Sequence, residues 1–271
     1  MITIISYDIN PHKTNYLRSM IRIVIIGAGN VSTHLCKAFN ASEEILLIQL
    51  YSRNKSSLKS FSETIETTSS ISELKAADVY IIAIADDSIK SFSETLPFND
   101  KLVVHTSGSM SISELSENNR KGVFYPLQTF TKESEVDFIN IPICIEASTI
   151  PDLKLLKKLG RTISEKVVKI NSDERAKLHL AAVFVNNFVN HLYQKGSEIL
   201  EENSLPFDLL KPLIIETVNK IESLSPKEAQ TGPAKRNDIK TIEKHLHLLK
   251  NSTHKELYLQ LTKAIQKKYN P

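Results

Sequence analysis

Ile21-Arg22-Ile23-Val24-Ile25-Ile26-Gly27-Ala28-Gly29-Asn30-Val31-Ser32 is the stretch on which the fold turns. A nearly unbroken β-branched run enters two glycines and then a helix-like segment, residues 31–40. The chain holds only seven glycines, so two of them placed one residue apart at a strand end carry information. Gly27 allows the tight turn, and Gly29 lets the backbone approach a pyrophosphate. The following helix offers that anion free N–H groups and the positive end of its dipole. Ser32 takes the third small position, where Gly or Ala is usual, and is still small enough for close helix–strand packing. Strand before, helix after and a second strand beyond meet the context that a dinucleotide-binding turn requires. Gly27, Gly29, Asn30 and Val31 are therefore candidate cofactor-binding residues; the alternative is an ordinary βα turn.

Outward from this turn, residues 45–51, 79–85, 102–106, 123–127, 141–146 and 167–170 read as further strands. Residues 56–64, 87–96 and 152–161 carry helix-like periodicity between them, and 67–70 read as a loop. The first four strands are apolar almost continuously, as strands buried on both faces of a parallel sheet must be. After Ile170 only helix-like segments remain: 172–200, 206–224, 238–249 and 253–268, with Ser172, Asp238 and Thr253 as expected caps. The expected fold class is α/β, an N-terminal doubly wound (Rossmann) parallel sheet followed by an all-α C-terminal domain. Met20 directly precedes the first strand, so residues 1–19 are expected to be an extension outside the fold. Residues 20–170 would be the nucleotide-binding domain and 171–271 the helical substrate and dimerisation domain.

An NAD enzyme places an acid on the ribose about twenty residues past the glycines. Here the sequence is Gln49-Leu50-Tyr51-Ser52-Arg53-Asn54-Lys55, without an acid. Ser52, Arg53 and Asn54, with Lys55 beyond, stand where a 2′-phosphate would sit, and arginine matches phosphate with its planar fork of donors. The expected cofactor is NADP(H); the competing reading is a solvated basic loop. Two more strand ends face the same crevice by the topological-switch rule. Ala83-Ile84-Ala85-Asp86-Asp87 offers Ile84, Ala85 and Asp86, with Asp87 as a helix cap. His105-Thr106-Ser107-Gly108-Ser109 offers Thr106 and Ser107. His105 itself reads either as a strand-end histidine bonded to neighbouring backbone or as a catalyst.

Composition narrows the partners. Of 271 residues, 41% are hydrophobic and 24% charged, and the formal charge of +3 comes from 34 basic and 31 acidic residues spread along the chain. No basic stripe marks a nucleic-acid binder. The two cysteines, Cys36 and Cys144, lack a set of metal-type ligands around them, so neither a metal site nor a disulfide framework is expected, and a reducing cytoplasm fits. The longest apolar runs, 23–26 and 79–85, are far short of a membrane span. Asp8, Asn10, Pro11, His12 and Lys13 interrupt the region where a signal peptide needs an apolar core. The expectation is a soluble, cytoplasmic protein.

The helix from Ser172 carries His179, Asn186, Asn187, Asn190 and His191 in an apolar string. At 3.6 residues per turn, His179, Asn186 and Asn190 share a stripe with Asn187 at its edge. Such a stripe faces either a ligand cavity or a hydrogen-bonded helix or dimer contact. Further on, Gln230-Thr231-Gly232-Pro233-Ala234-Lys235-Arg236-Asn237-Asp238 leads into a helix, a turn by its Gly-Pro pair and a cap by its Asp.

Taken together, residues 23–35, His105-Thr106-Ser107-Gly108-Ser109, Tyr125-Pro126-Leu127-Gln128-Thr129-Phe130, His179 with Asn187, and Thr231-Gly232-Pro233 with Arg236, Asp238, Thr241, His245 and Leu246 resemble one bacterial group. It is the Rossmann-like group whose C-terminal helical domain is of unknown function, similar to deazaflavin-dependent NADP reductases, pyrroline-5-carboxylate reductase and ketopantoate reductase. The resemblance implies NADP binding and a homodimer formed through the C-terminal helices. Three positions depart from it: Tyr125 stands in place of a histidine, Asn237 in place of a glycine, and Ser32 in place of a smaller residue.

The expected function is an NADP(H)-dependent oxidoreductase acting on a small polar carbonyl or imine. His179 would donate a proton, since histidine exchanges protons near neutral pH. Asn186 and Asn187 would orient the substrate, and Thr231 with Arg236 would close the site, Arg236 suiting a carboxylate. The rival is a non-catalytic NADP(H)-binding redox sensor or scaffold, because no lysine–glutamate or tyrosine–lysine catalytic set stands out.

Overall fold

A computed structural model describes residues 20–270; the expected extension, residues 1–19, lies outside the described residues. The chain forms two compact units that divide between Val183 and Phe184. The first is built on an eight-stranded sheet: β1 (Ile21–Ile26), β2 (Ile45–Tyr51), β3 (Thr67–Thr68), β4 (Val79–Ile82), β5 (Leu102–His105), β6 (Arg120–Pro126), β7 (Ile143–Ala147) and β8 (Val167–Lys169), in the order β3-β2-β1-β4-β5-β6-β7-β8. Pairings are parallel except β6 with β7, which run antiparallel with Tyr125 opposite Cys144.

Alternation along β1 shows why both faces must be covered. Ile23 and Ile25 join a core with Leu50, Ile81 and Val104 on one face; Val24 and Ile26 join Tyr51, Tyr80, Ile82 and Val103 on the other. The first face receives α1 (Asn30–Asn40) through Leu35, Cys36 and Phe39, and also a later helix spanning Ile150–Arg161 through Leu156 and Leu159. A short α2 (Lys55–Leu58) follows β2, and α3 (Asp86–Glu94) covers the second face through Ile89 and Phe92. The helix at Ile150–Arg161, α4, is capped by Thr149, whose hydroxyl accepts the Asp152 N–H.

The structure corrects several boundaries. Residues 67–70, read as a loop, supply the two-residue edge strand β3, which pairs with Leu50 and Tyr51. The helix expected over 56–64 is shorter, ending at Leu58. Asp87 is no cap: α3 begins at Asp86, with Ala85 at the N-cap and no side-chain capping bond. Helix α5 (Ser172–Ala182) is capped by Asn171 rather than Ser172, in a reciprocal capping box with Glu174. Ser172 is thereby free to donate to Glu146, at 2.8 Å.

Beyond α5 the chain turns as a π-helix over Val183–Phe188, then resumes as α6 (Val189–Glu201). A π turn holds more residues than an α turn. The stripe drawn from His179 to Asn186 and Asn190 at 3.6 residues per turn therefore does not carry through this segment. The second unit continues with a short 3-10 turn over Phe207–Leu210, α7 (Lys211–Ser223), α8 (Pro226–Ala229), α9 (Ile239–Leu248) and α10 (Ser252–Tyr269). Asp238 caps α9, as expected, whereas Asn251 and not Thr253 caps α10. His254 of α10 is tied to Glu198 of α6 at 2.8 Å. Among the described residues no helix is long and apolar enough to cross a membrane.

Candidate active site

The carboxyl ends of β1, β2, β4 and β5 open into a cavity of about 570 Å³. All twelve residues proposed from sequence for the cofactor line it: Gly27, Gly29, Asn30, Val31, Ser52, Arg53, Asn54, Ile84, Ala85, Asp86, Thr106 and Ser107. His179 lines it too, as do Gly108, from the strand end read as facing the crevice, and Tyr125, which the sequence reading did not place there.

The two turn glycines do different work. Gly27 has φ +115°, and a Cβ there would stand 2.1 Å from the Ala83 carbonyl oxygen. The strand-end backbone itself excludes every other residue. At Gly29 a Cβ would meet nothing within 4 Å, and its φ of −88° is open to any residue. What Gly29 keeps clear is the cavity. Just beyond it α1 starts with no side-chain capping bond and no acid in its first turn. Its N-terminal amides and dipole end are thus offered to an anion. Ser32 is fully buried, its hydroxyl 3.4 Å from the Ala83 carbonyl. That contact accommodates the departure from a smaller residue.

At the β2 end, Arg53 is exposed and has no hydrogen-bond or ion-pair partner among the described residues. Asn54 caps α2 by accepting the Ser56 N–H at 3.0 Å, and the Ser52 hydroxyl lies 3.1 Å from that of Ser57. Lys55 lies in α2 and not on the cavity wall. A free guanidinium beside two hydroxyl- and amide-bearing side chains is a donor set without an acid.

At the other end, Asp86 Oδ2 accepts from the hydroxyls of Ser107 (2.8 Å) and Ser109 (2.6 Å). His105 is fully buried, and its Nδ1 accepts the Ser107 N–H at 3.2 Å. Burial first, then the charge of Arg175, lowers its pKa to about 4. It is the strand-end histidine of the two alternatives. His179, from α5, reaches this end of the cavity, where its Nδ1 lies 3.2 Å from the Tyr125 hydroxyl.

One turn before His179, Arg175 is fully buried. It pairs with Glu146 at 2.5 Å, donates to Ser172 at 3.2 Å and also donates to the Met110 carbonyl. This network anchors α5 to β7 and to the loop after β5. The sequence showed Arg175 only as one basic residue near a helix start, with no signal of a buried role.

The remaining candidates belong to the second unit. Asn186 and Asn187 lie in the π segment, and Thr231 and Arg236 in the turn before α9. In that turn Gly232 has φ +102° and Asn237 φ +55°. Asn237 thus holds the left-handed conformation that asparagine tolerates, and the departure from glycine costs little.

Family models match both parts of the chain: residues 22–108 match the NADP oxidoreductase, coenzyme F420-dependent, and residues 141–265 match the domain of unknown function DUF2520. No curated protein matches the sequence. Among solved structures, a Bacteroides fragilis protein described as a "putative NADP oxidoreductase" is 38% identical, with TM-score 0.85, covering 92% of this chain and 99% of its own. A Thermotoga maritima protein is 20% identical with TM-score 0.74, covering 90% and 99%. An Aspergillus terreus reductive aminase, solved with NADPH and ethyl levulinate, is 13% identical with TM-score 0.68, covering 92% and 93%. These last two share the fold. By the whole-length match at 38% identity and the two domain matches, the chain belongs to the family of NADP oxidoreductases that joins a nucleotide-binding domain of the coenzyme F420-dependent kind to a C-terminal domain of unknown function.

Proposed function

We propose that the protein is an NADP(H)-dependent oxidoreductase acting on a small polar carbonyl or imine compound, with His179 as its proton donor. The observation that carries this reading is that His179 lines the same cavity as the glycine turn. The residues present fit the family's cofactor. Gly29 leaves open the space beside the uncapped α1 amides, and those amides would take the pyrophosphate. Arg53, with Ser52 and Asn54, would take the 2′-phosphate; Thr106, Ser107, Ile84, Ala85 and Asp86 would border the nicotinamide half. Bound, the nicotinamide supplies the hydride chemistry. His179 holds the proton that the reduced carbonyl oxygen or imine nitrogen requires.

From the second unit, Asn186, Asn187, Thr231 and Arg236 are proposed to contact substrate, Arg236 by pairing with a carboxylate. A homodimer through the C-terminal helices is part of the same reading. It is supported by Ile215, Val218 and Ile221, spaced three residues apart along α7 and all more than half exposed.

The test is His179→Gln, assayed with NADPH against a panel of small ketones, keto acids and cyclic imines. The expected result is unchanged NADPH affinity and turnover lowered by roughly 100-fold or more. Wild-type protein that binds NADPH and turns over no member of the panel would favour the redox sensor instead.

A further inference from the structure

We propose that the Tyr125 hydroxyl is a positioning group that fixes the ring of His179 and selects the tautomer with hydrogen on Nε2; as Nε2–H passes its proton to substrate, Nδ1 takes the proton of the Tyr125 hydroxyl, so that the ring stays neutral. The inference rests on the reading of His179 as proton donor and adds to it a residue from another element.

Three features meet at this point. The Tyr125 hydroxyl lies 3.2 Å from His179 Nδ1. The two rings pack edge-on, with centroids 6.1 Å apart and planes at 76°. Both lean over Gly108, where a Cβ would stand 2.6 Å from His179 Nδ1 and 2.9 Å from Tyr125 Cζ. Gly108 is thus the floor that allows the pair to reach the cavity, and α5 and β6 supply its two halves.

Of the two directions this contact allows, we take Tyr125 as donor and Nδ1 as acceptor. Burial, the largest influence, pushes the Tyr125 pKa up to about 12, so the phenol keeps its proton through the neutral range. A neutral imidazole has one nitrogen that accepts and one that carries hydrogen. Tyr125 donating to Nδ1 therefore puts the ring hydrogen on Nε2, which has no hydrogen-bond partner among the described residues. Competing groups are engaged elsewhere: Asp86 takes the hydroxyls of Ser107 and Ser109. Phenylalanine at 125 would keep the edge-on packing and remove only the donor. The departure from histidine at this position thus keeps a hydrogen-bonding side chain facing His179.

The test is Tyr125→Phe, read by ¹⁵N NMR of the His179 ring with and without NADP⁺, at a pH where the ring is neutral. Wild type is expected in the Nε2–H form, and Tyr125→Phe in a mixture of tautomers. The kcat on any substrate found should fall by roughly 10- to 100-fold with little change in KM. Nδ1–H as the main wild-type form would overturn the proposal, whether or not the variant folds. So would identical ring shifts in wild type and variant. The two readings fail separately. A tautomer lost in Tyr125→Phe with no wild-type turnover would uphold the pair and sink the catalytic reading. Turnover with an unaltered tautomer would do the reverse.

Discussion

The two units bury their apolar side chains very differently. Through Val183 the chain folds its strands into two large cores and a small third cluster at Val123, Tyr125 and Cys144, and Ile23, Ile25, Val24 and Ile26 are all fully enclosed. Beyond Val183, only Ala234 and Ile242 among the described apolar residues are buried, whereas Phe184, Phe188, Leu209, Leu213, Ile215, Val218 and Ile221 are exposed. A sheet covered by its own helices completes its core within one chain. Helices that leave large apolar side chains in water have not completed a core of their own. The first unit therefore presents a site within its own fold, and the second exposes the apolar side chains on which the proposed homodimer rests.

Arg175 offers the most severe way to break the first half of that contrast. Arg175→Met leaves Glu146 in a mostly enclosed place without its partner, a change that costs about 3–5 kcal/mol where such pairs are broken on one side. Chemical denaturation should show the sheet unit destabilised by that order. A midpoint close to wild type would mean that the network is incidental to the packing.

The glycine turn gives the next effect. Gly27→Ala should cost roughly 1–3 kcal/mol through overpacking and backbone strain against Ala83. Gly29→Ala, with nothing near its Cβ, should leave the denaturation midpoint within about 0.5 kcal/mol of wild type. Equal effects at the two glycines would refute the separate roles assigned to them. For the helical unit, Val218→Glu should weaken the proposed dimer at least about tenfold, near 1.4 kcal/mol, with helix content retained. Sedimentation of wild type as a monomer at working concentration would remove the dimer from the account.

The sequence made the first unit legible because its constraints are local. A β-branched run, a glycine turn, a missing acid after β2 and two further strand ends each announce themselves within a few residues, and all twelve residues drawn from them line one cavity. What stayed hidden depends on tertiary placement. Thr67–Thr68 is a strand only because β2 offers an edge. Tyr125 is polar at the end of an apolar strand, a position that the crevice rule could have flagged, but its partner is 54 residues away. Arg175 looks like any charged residue in a first turn until Glu146 and Met110 close around it. The π segment at Val183–Phe188 has no proline or glycine to announce it, and periodicity applied across it misplaces Asn186 and Asn190.

The central claim is that the crevice binds NADP(H) and that Arg53 reads the 2′-phosphate. Calorimetric titration of NADPH and NADH into wild type and Arg53→Ala at low salt tests it most directly. A charge-assisted contact is worth about 1.5–3 kcal/mol, roughly 10- to 100-fold in affinity. NADPH should therefore bind wild type at least about tenfold tighter than NADH, with the gap narrowing as salt is added. Arg53→Ala should remove most of the difference by weakening NADPH alone. Equal affinities of wild type for the two nucleotides, or a preference that survives in Arg53→Ala, would contradict the account.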